Sequence, residues 1–463
     1  MSSPSQSGSK EEGVETGHAN GRASTDRPNT VGFFHSELRD VRWQVLRRWA
    51  LTVLGLAVFI LSVLSLYWGV LFGVEQNLPS LTTWIVDFDG KVAPYNTTTP
   101  VVGPFITNAF ANMHPSTYDR LGWTIRSAEE FDNDPWAVRQ GVYDEHAYVA
   151  IIINPNATAL LRAAVNEGNS SYDPAGAAQV IYNTARDQNT MASYILPALL
   201  DTLIPVASGF GSHWVQLLSA NASSQDIFRV PQAVNPAIGF TLLDLRPFVP
   251  AVETPSVTIG LIYLIIISFF SFPFLMPVHA LFVQGKDHRP LHPMHLIVWR
   301  MVSNIVAYFF LSLCYSFVSL AFQIPFSNPP APGTTGATNP NGYGKGSFVV
   351  YWMLNWVGMA ALGLPSENMA MILGQPYSAM WLIFWVITNV STGFYSLDLA
   401  PGFFAWGYAW PLHRIVEASR TILFDTHSRI GLDFGILFAW VGASMVLYPF
   451  ACWFMRWKMM RGK

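Results

Sequence analysis

The sequence predicts a polytopic α-helical membrane protein, with six transmembrane helices and an extracytosolic α/β domain inserted after the first. Three observations predict it. Charged residues make up only 12% of the 463 residues while apolar residues reach 51%, about half the charge of an ordinary soluble chain. Six stretches hold no Asp, Glu, Lys or Arg: Trp49–Val74, Thr254–Gly285, Met301–Gly344, Gly346–Ser366, Asn368–Leu397 and Phe434–Met455. About 20 apolar residues suffice to cross roughly 30 Å of hydrocarbon. Between the first two stretches lies a hydrophilic segment of about 180 residues, enough for one folded domain, in which short apolar runs alternate with helical patterns. The 17 Trp, 17 Tyr and 32 Phe suit bilayer interfaces. A net charge of −3 excludes nucleic acid as a partner drawn by bulk charge.

Residues 1–48 read as a disordered cytosolic tail with a basic juxtamembrane end. Its first 36 residues are rich in Ser, Gly and Thr with mixed charge, too polar to bury a core. Deleting them is expected to leave insertion intact. Arg39, Arg42, Arg47 and Arg48 precede an apolar run that starts late and is long, so 49–73 reads as an uncleaved signal anchor. Flanking basic residues stay cytosolic, which places 74–255 outside. That segment carries four N-x-[ST] sequons, at Asn96, Asn156, Asn169 and Asn221, expected sites of glycosylation. Asn389 also fits the pattern but falls inside a span and is discounted.

Within 74–255, strands are expected at Trp84–Asp89, Leu121–Arg126, Tyr148–Asn154 and Ala178–Thr184. Helices are expected at Val102–Met113, Asp134–Tyr143 and Ala157–Val165, and a longer one at Asn189–Ala220, broken at Pro197, Pro205 or Gly209. The order of the strands is left open. Spans near 256–282, 297–322, 347–364, 378–396 and 433–455 form a five-helix membrane domain over 256–455. The basic tail 456–463 returns to the cytosol, as does the loop carrying Lys286 and Arg289. Arg414, Arg420 and Arg429 fall outside and stand against this topology.

No catalytic motif is present, so no enzyme activity, cofactor or metal is expected. The nearest approach to a phosphate-binding loop, Gly342–Ser347, has Gly where Ser or Thr must hold magnesium. His288, His292 and His295 cluster, but Pro290 and Pro293 break any helix that would align them on a metal. Asp87 and Asp89 share a strand face and read as strand-end acids. Cys314 and Cys452 both lie in spans and carry no disulfide framework. The membrane segments are more informative. Asn304, Asn355 and Asn389 sit in three different spans, where an amide either bonds a neighbouring helix or lines a substrate path. Glu367, at the inner end of the fourth span, joins them as a candidate path residue. The stretch 398–431 is neither span nor ordinary loop. After Pro401, Gly402, Gly407 and Pro411, the run Leu412–Phe424 turns amphipathic, with Arg414, Glu417 and Arg420 opposite Ile415, Val416, Ser419, Ile422 and Leu423. It reads either as an interfacial or re-entrant helix at the outer membrane surface or as a helix packed on the spans. In the first case Glu417 and Arg420 form an exposed gating pair worth under about 1 kcal/mol.

The runs Asn389–Tyr395 and Leu399–His413, the blocks Ala418–Phe424 and Leu432–Trp440, and the earlier Gly103–Ala109 and Val149–Thr158 together resemble the fungal nitrosoguanidine-resistance protein family. The resemblance runs from about Leu51 to Trp453. It implies distant similarity to the membrane domain of type-2 ABC exporters and to phage-infection-protein-like membrane proteins. It further implies a plasma-membrane protein that confers resistance to toxic small molecules such as nitrosoguanidine, by export. The alternative it leaves is a non-transporting regulator or scaffold that affects phospholipid asymmetry or partner transporters. Implied partners are membrane lipids, the small-molecule toxicant, and either further copies of the chain or a separate ATPase subunit, because the chain has no ATP-binding motif of its own. On this reading Arg420→Ala lowers resistance while leaving surface expression unchanged.

Overall fold

The computed structural model describes residues 32–113, 121–221, 229–284, 289–326, 342–374 and 376–461, in two compact units, Met1–Leu61 and Ser62–Lys463. In the first unit a 3-10 turn at Ser36–Leu38 leads into helix α1, Arg39–Phe59. The basic end of the expected disordered tail is therefore helical. Arginine is a good helix former, and the anchor helix simply starts ten residues before its apolar run. Residues 1–31 of that tail lie outside the described residues.

The second unit opens through a π turn and a short helix, Ser65–Val70, into an α/β domain. In order come β1 Thr83–Asp87, α2 Val102–Ala111, β2 Trp123–Arg126, α3 Pro135–Tyr143, β3 Val149–Ile153, α4 Ala157–Glu167, β4 Ala178–Tyr182, α5 Leu196–Asn221 and β5 Phe240–Asp244. The strands lie in the order β2-β1-β3-β4-β5. Every neighbouring pair is parallel except β3–β4. All four expected strands are present. The fifth escaped notice because Phe240-Thr-Leu-Leu-Asp shows neither alternation nor a continuous apolar run, and it sits half-exposed at the sheet edge. β3 is apolar at every position because both faces are covered. Val149, Ile151 and Ile153 meet α2, α4 and α5, while Ala150 and Ile152 meet α3. Asp134 accepts a hydrogen bond from Trp136 to start α3, with Pro135 in the first turn. Gly168, at φ 68°, takes the left-handed turn that ends α4. Pro205 sits inside α5 without breaking it; the irregularity lies earlier, in a π turn at Met191–Ile195.

The rest of the chain is helical: α6 Ile262–Gln284, α7 Pro293–Ala321, α8 Ser347–Leu373, α9 Tyr377–Gly393, α10 Pro411–Phe424 and α11 Ile430–Met460. Among the described residues, six helical stretches are long and apolar enough to cross a membrane: Ser36–Val70, Gln188–Ser219, Ala251–Val283, Pro293–Ala321, Gly344–Leu373 and Ile430–Lys458. Five coincide with expected spans. The expected span at 378–396 is α9, with 17 residues. At 1.5 Å per residue it measures about 25 Å, short of a bilayer core of about 30 Å. The sixth qualifying stretch contains α5, which the sequence assigned to the outer domain. Its Leu199, Val206, Phe210 and Trp214 pack in the core beneath the sheet, so its apolar composition also serves a folded domain.

α8 is the hub of the helical region. Tyr351, Leu354, Met359, Leu362 and Leu364 are all buried among neighbouring helices. Gly363 lets α6 and α7 approach it closely: a Cβ there would stand 2.5 Å from the Tyr308 hydroxyl and 2.7 Å from Ser268 Cβ. Gly363→Val is expected to force these helices apart at a cost of about 1–3 kcal/mol. A lowered melting temperature in detergent checks this, and an unchanged one refutes it.

Candidate functional site

Helix α7 has its polarity turned inward. Arg300, Asn304, Tyr308, Ser312, Ser316 and Ser319 recur at every fourth or third residue and are all buried. Val298, Val302, Val306, Phe310 and Phe317 are exposed on the other side. A soluble helix shows the reverse; a polar seam inside and aliphatic side chains outside is the arrangement a lipid solvent demands.

At one end of the seam, Arg300 Nη2 pairs with Glu367 Oε1 at 2.9 Å. Tyr448 of α11 donates its hydroxyl to the same oxygen at 2.6 Å, and the Asn304 amide donates to Glu367 Oε2. Glu367 is only 3% exposed. Expected at the inner end of the fourth span, it lies deeper: α7 and α11 both reach it, because α8 runs on to Leu373 and carries it more than one and a half turns inside its end. Further along, Ser271 donates to Tyr308 at 3.4 Å and Asn355 donates to Ser316 at 3.0 Å. Ser319 lies 3.5 Å from the Tyr351 hydroxyl and 3.4 Å from Ser256. The seam thus joins Asn304, Asn355 and Glu367. It leaves out Asn389, which donates to Trp385 within its own helix and accepts from the Leu412 backbone at the start of α10. Sequence reasoning missed Arg300, Tyr448 and the serines. The signal that could have found them is the four-residue repeat of polar side chains in an otherwise apolar run.

The second concentration of charge surrounds α10. Of the two readings left open for Leu412–Phe424, the exposed one is corrected and the packed one holds: thirteen of its fourteen residues are buried, and Arg420 is 5% exposed. Its apolar face packs on α8, where Ile415 fills the space left by Gly358, and Leu412 meets Gly393 of α9. Its polar face meets the α/β domain. Arg420 bonds Glu417 at 3.1 Å, Asp187 at 3.5 Å and the Gln188 side chain at 3.3 Å. Around it, Arg414 pairs with Asp433 at 3.3 Å, Arg429 with Glu145 at 3.0 Å, His427 with Asp144 at 3.3 Å and Arg246 with Asp425 at 3.0 Å. The three arginines that stood against the expected topology are each matched by a carboxylate.

Of these groups Glu145, Asp187, Glu417, Arg420 and Arg429 line a cavity of about 250 Å³. Burial drives the Glu145 carboxyl above the usual range despite the pull of Arg186. Burial acts the same way on Glu417, but Arg420, His413, Arg186 and Arg429 together outweigh it and hold that carboxyl below the usual range. Glu417 therefore stays ionised, with its counter-charges around it.

The remaining sequence candidates have structural roles. Asp89 is buried, accepting from the Gly103 and Thr158 backbone at 3.0 and 2.9 Å and from the Thr158 hydroxyl at 2.5 Å, which ties down the starts of α2 and α4. Asp87 pairs with Lys91 at 2.9 Å. The His292 and His295 rings lie 5.5 Å apart, while His288 lies outside the described residues; among those described, no group of three potential metal ligands forms. Cys314 and Cys452 are free thiols. Asn96 and Asn169 are exposed and Asn156 half-buried; the side chain of Asn221 lies outside the described residues. Asn389 is fully buried.

Comparison with known proteins agrees with the membrane assignment. A family described as "Protein of unknown function (DUF3533)" matches residues 52–446. An uncharacterized endoplasmic reticulum membrane protein of Saccharomyces cerevisiae is 27% identical over 448 residues, covering 91% of this chain and 83% of the relative. No solved structure matches. The protein is an integral membrane protein.

Proposed function

The chain belongs to the family of proteins of unknown function DUF3533, and from that premise we propose that it is an exporter-like permease that removes toxic small molecules, nitrosoguanidine among them. The observation that carries this reading is the buried polar seam of α7, ending in the ionisable cluster Arg300–Glu367. Ionisable groups inside a membrane are costly and most often mark a pathway. Since the sequence has no phosphate-binding motif, the drive comes from a separate ATPase subunit or from an ion gradient. The test is reconstitution in liposomes, with and without ATP or a proton gradient, using labelled nitrosoguanidine. Gradient- or ATP-dependent movement that falls in Ser316→Val supports the reading; no movement under any condition, including in whole membranes that retain any ATPase partner, refutes it.

A second reading, a non-transporting regulator of phospholipid asymmetry, draws on the mutual bonding of the seam side chains, Asn355 with Ser316 among them. The same liposomes loaded with fluorescent phospholipid separate the two.

The topology belongs to this proposal as well. Both termini lie in the cytosol and 74–255 outside, with α9 as a short span and α5 part of the outer domain. The exposed Asn96 and Asn169 are then the glycosylated sequons. Glycosidase is expected to shift the protein on a gel, and the double variant Asn96→Gln/Asn169→Gln is expected to abolish most of that shift. Labelling of a tag near Asn169 by cytosolic reagents alone would overturn the orientation. The proposed destination is the plasma membrane, although the yeast relative is named for the endoplasmic reticulum; imaging of a tagged chain decides between them.

A further inference from the structure

The cavity beneath α10 holds charges of both signs, and most are already paired. Arg420 is held by Glu417 and Asp187, and Arg429 by Glu145. Two are not. Among the described residues, Arg186 has no carboxylate within ion-pair distance. One of its nitrogens donates to the Ala147 carbonyl at 3.0 Å, and its guanidinium lies 3.6 Å from the centre of the Tyr148 ring. Among those residues Asp398 likewise has no cation within ion-pair distance, although its charge and that of Arg186 act on each other at longer range. It is held by two phenols, with Tyr148 donating to Oδ2 and Tyr408 to Oδ1, both at 2.7 Å. Tyr148 therefore carries a cation on its face and an anion at its hydroxyl, neither of them in a contact ion pair. Both groups line the same cavity. Asp398 and Tyr408 are exposed and form its mouth, while Arg186 is half-buried further in.

We propose that this cavity binds a small zwitterion, its carboxylate or phosphate on Arg186 and its ammonium on Asp398. A guanidinium has five N–H donors in a planar fork suited to an oxyanion, and that of Arg186 spends few of them on the protein. The two aspartate oxygens each accept one phenol proton and keep lone pairs for an ammonium. A lone phosphate would meet the acidic groups Glu145, Glu417 and Asp398, and a lone ammonium would meet three arginines. Only a ligand with both charges complements the lining. At about 250 Å³ the space is below the 300–1,000 Å³ typical of drug-sized ligands, so the occupant is a small polar molecule. The inference does not depend on the transport reading, since binding is measured on protein at rest.

The test is calorimetric titration of the purified full-length protein with O-phosphoethanolamine, and separately with inorganic phosphate and with ethylammonium. The zwitterion is expected to bind at least about tenfold more tightly than either half. Asp398→Asn is expected to remove that advantage, leaving the zwitterion no better than phosphate; Arg186→Gln is expected to leave it no better than ethylammonium. Asp398 stands exposed at the mouth, so its variant carries the test even if Arg186→Gln does not fold. Equal binding of the zwitterion and its halves, no binding at all, or unchanged binding in Asp398→Asn would overturn the proposal. Titrating protein in nanodiscs with and without phosphatidylethanolamine then tests the orientation. No competition is expected, because a lipid's phosphate is tethered to its acyl chains and cannot pass the mouth ahead of its ammonium; competition by the lipid would overturn the proposed orientation.

Discussion

Glu367→Ala is expected to prevent accumulation of correctly folded protein. The substitution leaves Arg300 buried with no counter-charge and strips an acceptor from both Tyr448 and Asn304. Breaking a buried pair by removing one partner costs about 3–5 kcal/mol in proteins, and an unpaired arginine inside a membrane costs roughly 2.5–3.5 kcal/mol or more. Either figure is a large share of a typical folding free energy of about 5–15 kcal/mol. Fluorescence-detected size exclusion of a tagged variant is the measurement, and a wild-type peak with an unchanged melting temperature would contradict the assignment. Glu367→Gln keeps an acceptor and a similar shape, so it is expected to lose less. The double variant Arg300→Met/Glu367→Leu removes both charges together and is expected to recover much of the yield, because an apolar pair of similar volume is often tolerated where a broken ion pair is not.

Arg420→Ala is expected to be the second most damaging substitution. It removes the shared partner of Glu417, Asp187 and Gln188 and leaves Asp187, itself buried, beside no cation. The expected loss is about 3 kcal/mol, the lower end for a broken buried pair, since Glu417 is partly open to the cavity. Abundance and melting temperature should fall together. Read as an exposed pair, the same residue would have contributed under about 1 kcal/mol and its loss would have gone unnoticed in abundance. Arg420→Lys keeps the charge without the fork and is expected to restore part of the stability. Wild-type abundance in Arg420→Ala would show that the arginine is not needed to hold α10 against the α/β domain.

The elements of this fold were largely legible in the chain because two periodicities are strong in it. Charge-free runs marked the membrane helices, and short apolar runs such as Val149–Ile153 marked the strands. Where the reading stayed open or missed a residue, the deciding contact was remote. Leu412–Phe424 looks amphipathic in isolation, and nothing local says that its polar face will be covered. Its partner Asp187 is 233 residues away, and Arg246 is 179 residues from Asp425. In α7, Asn304 stood out as an amide in an apolar run, whereas Arg300, just before the charge-free run, and the serines drew no attention, because only their burial against α8 and α11 marks them out. The cavity was not legible at all. Arg186, Asp398 and Tyr148 come from separate connections and strand ends, and only the folded chain brings them to one place.

Those long separations also set a clock for biogenesis. The α/β domain emerges from the ribosome early, but Asn77 must wait for Leu399, Asp187 for Arg420 and Arg246 for Asp425. At about 5–20 residues per second, a gap of 179 residues is a delay of roughly 10–40 s. During that interval the apolar surface that Leu399 and Phe424 later cover stays exposed, and such transiently exposed surface is what chaperones answer. A message cut short after α9 would leave that state permanent. The truncated chain would carry most of the expected membrane anchors and all five strands of the sheet, and it is expected to be cleared by quality control all the same.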